Sequence, residues 1–230
     1  MGCDIHITVE VRNAAGAWEA LPNPVRDCYF CVRNRRPGDP PGPQADCRWC
    51  NGTGKGVEEW YDGRNYALFA ILADVRNDEG GYRPIAPPRG VPTDASPEYL
   101  AEVEAWEGDG HSHTYHTLAE ILAYDWDAPS FEEGLLSEAG YREMKEKGEP
   151  SMWCGDAFGP DIVKISDTEM EMLLAGEYQR KAGVSYHTRA KWAVSAREYA
   201  ATFLANMEEA RVAAGNVKPE DLRVCCFFDN

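Results

Sequence analysis

No stretch of this 230-residue sequence approaches the ~20 consecutive apolar residues that a membrane-spanning helix requires. The first residues also lack the basic flank and the apolar run of a secretory signal peptide. We therefore expect a cytoplasmic protein without membrane contact. Apolar residues make up 43% of the chain, which is enough for a folded core.

Basic residues are scarce, because 23 lysines and arginines stand against 39 aspartates and glutamates, and the net charge is −16. Such a chain has no general attraction to nucleic-acid phosphates. Residues 94–149 hold fifteen acidic and three basic side chains, whereas residues 26–55 hold six basic and three acidic ones. The acidic region indicates either a solvated surface or a phosphate-mimicking face that occupies a DNA-binding protein. We expect no nucleic-acid partner except through the basic region.

Recognisable catalytic and nucleotide-binding motifs are also missing. The sequence contains no nucleophile motif, dinucleotide fingerprint or internal repeat, and NGTGKG (51–56) lacks the spacing of a Walker phosphate loop. These absences leave the reaction and the substrate open, so the remaining signals are metal-ligand spacing and clustered histidines.

Four of the eight cysteines form two C-x2-C pairs separated by fifteen residues: Cys28, Cys31, Cys47 and Cys50. Two such pairs supply the four thiolates of a tetrahedral Zn²⁺ site. A closed four-sulfur shell leaves no open coordination position, so the predicted zinc is structural. The alternatives are four free cysteines or two disulfides. We predict a zinc-binding module over residues 22–58, in which the stretch RNRRPGDPPGPQAD (33–46) has too many prolines and glycines for helix or sheet.

The second pair continues as CRWCNGTGKG, which resembles the C-x-x-C-x-G-x-G repeat in the cysteine-rich region of J-domain co-chaperones. The resemblance implies a zinc knuckle whose glycines let the backbone turn closely around the metal, and it does not imply chaperone activity. Several side chains of the module would offer a surface to nucleic acid or to an acidic partner: Arg33, Arg35, Arg36, Arg48 and Trp49.

Strand and helix signals alternate along the rest of the chain. Residues 3–11, 184–194 and 221–230 are predicted strands, and RNYALFAILADVRN (64–77) has the apolar spacing of a mostly buried helix. Helix N-caps are predicted at Ser96, Thr117, Ser130, Ser166 and Ser195.

Strands at both ends with helices between them predict an α+β fold. We expect a small mixed or antiparallel sheet that contains the N- and C-terminal strands and packs against several helices. Residues 1–21 and 59–230 would form a single domain, and residues 22–58 would be an inserted zinc knuckle.

Three of the five histidines lie in GDGHSHTYH (108–116). His111 and His113 would point the same way in an extended segment, and Asp109 could be a metal ligand or an orienting group. A phosphate site at the following helix N-terminus, or a loop of capping histidines, are the alternatives. Asp4 and His6 share one face of the first strand and have the residue types to join this cluster.

The stretches MGCDIH, RNYALFAILADVRN, GDGHSHTYHTLAE and FFDN resemble a family of uncharacterised phage and bacterial proteins. The likeness covers most of the chain outside residues 22–58 and implies a shared domain into which the zinc module is inserted. It implies no particular activity. The polar positions of its motifs are Asp4, His6, Arg64, Asn65, Arg76, Asn77, Asp109, His111 and His113.

The first functional hypothesis is a metal-dependent hydrolase that acts on a phosphorylated small molecule or nucleotide. A second divalent metal and its water would be held by Asp4, His6, Asp109, His111 and His113. Phosphate would be bound by Arg64, Arg83 and Arg89. These arginines could instead pair with the chain's own carboxylates.

Two further hypotheses involve binding without chemistry. In one, the protein is a phage factor that binds a host or defence protein through its acidic surface. In the other, it binds a nucleotide-like ligand as a sponge or a sensor would.

Overall fold

A computed structural model describes residues 2–35, 38–40, 42–77 and 81–229. The strands are β1 (Asp4–Arg12), β2 (Trp18–Ala20), β3 (Val25–Asp27), β4 (Lys55–Val57), β5 (His111–Thr117), β6 (Ser130–Ser137), β7 (Ile162–Lys164), β8 (Ser185–Val194) and β9 (Leu222–Asp229). The α-helices are α1 (Tyr66–Ala73), α2 (Pro97–Ala105), α3 (Leu118–Ala123), α4 (Glu138–Lys147), α5 (Asp167–Ala175) and α6 (Ala196–Ala213). Within these described ranges, no helix has the length and apolarity needed to cross a bilayer.

The chain divides into two compact units. Unit 1 comprises Met1–Asn65, Ile85–Tyr124 and Ala200–Asn230, and unit 2 comprises Tyr66–Pro84 and Asp125–Tyr199. Helices combined with mainly antiparallel sheets confirm the predicted α+β fold. The predicted division into 1–21 with 59–230 and an inserted 22–58 stays a prediction.

Unit 1 is built around a four-stranded antiparallel sheet in the order β2-β1-β9-β5. Strands β1 and β9 pair along their whole length, from Asp4 opposite Asp229 to Val11 opposite Leu222. The prediction that one sheet contains both terminal strands is confirmed, and the structure shows that they are neighbours at its centre.

Strand β1 shows the alternation expected of a strand with two different faces. Ile5, Ile7 and Val9 are buried on one face, while His6 and Glu10 belong to the other. Glu10 is nevertheless fully buried. The second face is polar and only partly buried, and it is called the polar face below.

Unit 2 contains a three-stranded mixed sheet in the order β6-β8-β7, in which β7 runs parallel to β8. Helices α4 and α5 belong to the same unit and share its core. That core is built from buried residues of strands and helices: Leu136, Tyr141, Met170, Leu173, Tyr186, Ala190 and Trp192.

The helix-start predictions are confirmed at four sites and wrong at one. Ser96, Thr117 and Ser166 cap α2, α3 and α5 with their side chains, and Ser195 Oγ accepts from the Glu198 N–H at the start of α6. Ser130 instead begins β6, because residues 130–137 pair with β8 along their whole length. Tertiary strand pairing thus outweighs the local capping pattern.

The buried helix predicted in residues 64–77 is present but shorter. Helix α1 buries every residue from Ala67 to Ala73, so the whole segment is core rather than amphipathic surface. Asp74 and Arg76 have φ angles of 58° and 57°, which end the helix.

Candidate metal centre and the polar face

The four paired cysteines come together in unit 1. Their ligand atoms all lie within 4.8 Å of one another, with Sγ–Sγ distances of 3.8 Å between Cys28 and Cys47 and 3.5 Å between Cys31 and Cys50. Zn–S bonds of about 2.3 Å in a tetrahedron place sulfurs about 3.8 Å apart. None of the four forms a disulfide. The cluster therefore fits a four-sulfur zinc knuckle.

The backbone around the cysteines is closed by short, specific contacts. Strands β3 and β4 pair with each other at the base of the module, and the Cys28 N–H donates to the Gly54 carbonyl at 2.8 Å. Gly52 and Gly54 have φ angles of 79° and 72°, a region that disfavours other residues. The Gly54 N–H lies 3.3 Å from Cys50 Sγ. These two glycines let the chain turn around the sulfurs, as the co-chaperone resemblance implied.

The thiols of the cluster differ in acidity. Burial disfavours the Cys50 thiolate, but the Gly54 N–H and the neighbouring thiols outweigh burial and lower the pKa of Cys50 to about 7. A backbone hydrogen bond from Gln44 favours the Cys31 thiolate, but burial and the other thiols raise its pKa to about 12. Metal binding requires thiolates, so binding releases protons and affinity falls as the pH falls.

Both C-x2-C pairs carry an exposed aromatic residue immediately before the second cysteine. Phe30 precedes Cys31, Trp49 precedes Cys50, and the two rings stack with centroids 4.4 Å apart and planes at 14°. Phe30 is 50% exposed and Trp49 is 68% exposed. Tyr29 adds an edge contact to Phe30 at 5.3 Å. These three rings are called the aromatic face.

The aromatic face borders an open groove of about 660 Å³ in unit 1. Its basic side chains already have acidic partners, because Arg26 lies 2.6 Å from Glu209 and Arg33 binds Glu58. Of the other predicted basic residues, Arg35 donates to the Asp39 carbonyl, and Arg48 is exposed. Arg36 lies outside the described residues. The charges of Arg26 and Arg33 are therefore neutralised by carboxylates of the chain itself.

His6 lies on the polar face between two carboxylates. Its Nδ1 is 3.6 Å from Glu102 Oε1, and its Nε2 is 3.4 Å from Asp229 Oδ2. The ring also stacks on Phe227 at 4.6 Å and contacts Trp106 at 4.4 Å. The Glu102 contact, aided by Asp229 and opposed by burial, raises the pKa of His6 above its ordinary value.

His111 and His113 do not point the same way, although both lie in strand β5. Ser112 between them has a φ angle of 52°, and the register with β9 shifts at this point. His113 consequently contacts Phe227 at 5.1 Å, while His111 lies 6.2 Å from Phe228. Phe227 and Phe228 are adjacent in β9 and therefore face opposite sides of the sheet. The bulge thus separates the imidazoles of His111 and His113.

The predicted site is thus distributed rather than gathered. Phe227 lies on β9, between β1 and β5 in the sheet, and its ring contacts both His6 and His113. Asp109 is exposed in the turn after α2. Among the described residues, the four cysteines are the one group of three or more metal-ligand side chains that lies within 4.8 Å. The catalytic roles assigned to these residues stay a prediction.

Two of the arginines predicted to bind phosphate contact carboxylates of the chain itself. Arg64 binds Asp4 through two hydrogen bonds of 2.8 and 2.7 Å, and Arg89 binds Glu120 through bonds of 3.1 and 2.6 Å. Arg83 is exposed in unit 2. The geometry of Arg64 and Arg89 matches the alternative in which arginines pair with the surplus of acids.

Sequence reasoning did not single out Glu102 and Asp229 around His6, or Tyr29 and Phe30 beside the cysteines. Asp229 continues the alternation of β9 that places Phe227 on the polar face. Aromatic residues lie inside both C-x2-C pairs, and this shared feature of the sequence could have indicated the aromatic face.

We predict opposite titration shifts for the two histidines that flank Phe227. The midpoint of His6 should lie above 6.5, because Glu102 and Asp229 favour the imidazolium. The midpoint of His113 should lie below 6.5, because burial disfavours its charged form. Proton–nitrogen NMR of the imidazoles across the pH range measures both, and two equal midpoints would contradict the described contacts.

The raised pKa of His6 also determines how the free energy of unfolding should change with pH. A folded-state pKa above the unfolded value stabilises the protein fully below about pH 6.5, and this contribution disappears as the pH rises through the folded pKa. His6→Gln should therefore lower the free energy of unfolding more in mild acid than in alkali.

Comparison with protein-family models, curated proteins and solved structures finds no match. The fold and the cysteine cluster define the class as an α+β protein with a four-cysteine metal site compatible with a zinc knuckle. The likeness to phage and bacterial proteins stays a prediction.

Proposed function

We propose that this chain is a zinc-stabilised binding protein whose aromatic face contacts a partner protein. The metal would be held by Cys28, Cys31, Cys47 and Cys50, and it would supply folding energy to the module without taking part in a reaction. The proposal also includes that a phage encodes the protein and that its partner is a protein of the host cell.

One observation carries the proposal. Phe30 and Trp49 lie far apart in the sequence, yet each adjoins a metal-ligand cysteine, and the cysteine cluster brings the two rings into an exposed stack. Exposed aromatic residues that are held rigidly lose little conformational freedom on binding, which is why such residues dominate protein interfaces. The metal would therefore build the binding surface as well as the fold of the module.

The hydrolase hypothesis has fewer supporting observations. His6 between two carboxylates has a geometry suited to proton transfer, but the ligands proposed for a second divalent metal are distributed over the sheet. Arg64 and Arg89, proposed for phosphate, bind Asp4 and Glu120. Its test is metal content beyond a single zinc that is lost in His111→Ala combined with His113→Ala.

Selection of a displayed random-peptide library on the zinc-loaded protein tests the binding function. We expect enriched peptides whose affinity falls about tenfold or more in Phe30→Ser combined with Trp49→Ser, because central aromatic residues commonly contribute over ~1.4 kcal/mol. Removal of zinc should have the same effect. The measurement is fluorescence anisotropy of the selected peptides.

The matched control combines Met152→Ser with Phe158→Ser, which removes two exposed apolar residues of unit 2 that are 80% and 84% exposed. This control should bind the peptides as the wild type does. An absence of enriched peptides, or equal binding by the Phe30 and Trp49 variant, would rule out the proposed surface.

A further inference from the structure

We infer that the groove beside the aromatic face takes a positively charged side chain, an arginine or a lysine, from the partner protein. This inference rests on the proposed function and specifies the chemistry of the partner. The juxtaposition of stacked aromatic rings with two carboxylates that form no ion pair among the described residues carries it.

The aromatic rings supply the first half of a cation site. Tyr29, Phe30, Trp49 and the largely buried Tyr61 all line the groove. A guanidinium can stack on such rings and be attracted by their negative faces. The structure already contains one contact of this type, because the Arg33 guanidinium lies 5.5 Å from the Tyr29 ring centre.

Carboxylates supply the second half. Glu58, Glu59 and Asp62 line the same groove, and Glu58 is bound by Arg33. Within the described part of the chain, no basic side chain forms an ion pair with Glu59 or Asp62. Arg26 and Arg33 also line the groove, but they are paired with Glu209 and Glu58. The groove thus combines rings that attract a cation with two carboxylates that form no ion pair in the described ranges.

The surroundings of Glu59 strengthen this electrostatic preference. Glu59 also lines a neighbouring pocket of about 250 Å³ together with Glu98 and Glu102. Burial raises the pKa of Glu59, the negative charges of Glu102 and Asp62 raise it further, and the positive charge of His6 opposes this rise without cancelling it. A bound cation would relieve this repulsion. The net charge of −16 also favours the approach of a basic partner over that of an acidic one.

A pair of peptides that differ by one charge tests the inference. The probes are fluorescein-labelled Ser-Leu-Arg-Leu-Ser and the same peptide with neutral citrulline in place of arginine. We expect the zinc-loaded wild type to bind the arginine peptide about tenfold more tightly, and Glu59→Gln combined with Asp62→Asn to abolish that preference. Anisotropy titrations at constant low ionic strength give the ratio.

The matched control combines Glu146→Gln with Glu149→Gln, which removes the same charge from exposed positions of unit 2. It should keep the preference, because a local site is insensitive to distant charges. Equal affinity for the two peptides, or no measurable binding of either, overturns the inference. Failure of the proposed function appears differently, as peptide binding that does not change in Phe30→Ser combined with Trp49→Ser.

Discussion

Cys28→Ser combined with Cys31→Ser is expected to remove the zinc and to unfold the zinc module while the rest of the protein stays folded. The apolar interior of the module consists of the cysteines and Val32, which is too small to hold the segment without the metal. Structural zinc contributes apparent binding energies of about 10–16 kcal/mol in zinc-finger peptides. The wild type should contain a single zinc and the variant none, as measured by elemental analysis.

Hydrogen exchange would show where the structure is lost. Amides of β3 and β4 should lose protection in the double variant, while those of β1 and β9 should keep it, because the central sheet has its own core. The matched control is Cys154→Ser, which changes an exposed cysteine of unit 2 and should retain the zinc. A double variant that keeps stoichiometric zinc would show that these sulfurs are not the ligands.

Glu10→Gln is expected to lower the free energy of unfolding by about 3 kcal/mol, the largest effect of a single substitution on the polar face. Glu10 and Arg223 are 0% and 3% exposed, and Glu10 Oε2 lies 2.5 Å from Arg223 Nε. The same carboxylate accepts from the Ser96 N–H at 2.7 Å, at the start of α2. Neutralising it leaves a buried guanidinium with Asp94 as its remaining acidic partner.

Urea unfolding measures this effect as a lower midpoint with an unchanged slope. The matched control is Glu208→Gln, which breaks an exposed pair with Arg211 of 2.7 Å and should change stability very little. Equal stability of Glu10→Gln and the wild type would mean that the buried pair does not hold α2 to the sheet.

Local signals predicted the secondary structure well where no distant strand competed with them. The capping box at Thr117 and the terminal strand at 222–229 are confirmed because alternation and capping act over a few residues. Local signals fail at Ser130, because its capping pattern lies in a segment that pairs with β8. Pairing between residues that lie 50 to 64 positions apart in the sequence leaves no local trace.

The two candidate sites also differ in how far the sequence predicted them. The cysteine cluster was predictable because each pair is local and four thiolates have one common arrangement around a metal. The histidine cluster was not, because a single bulge at Ser112 sends His111 and His113 to different faces. The alternation of residues in a sequence predicts which side of a strand each side chain faces. A bulge interrupts that alternation, and no strong residue pattern marks where a bulge occurs.

The amino-acid sequence by itself determined the α+β class, the terminal strands and the four-cysteine cluster, because these depend on periodicity and on short spacing. Only the tertiary structure decided that His6 faces Glu102 and Asp229, and that Phe30 stacks on Trp49. Such contacts join residues that are distant in the chain, and their geometry depends on how whole elements pack. The chemistry of a surface follows from that packing, which no local pattern records.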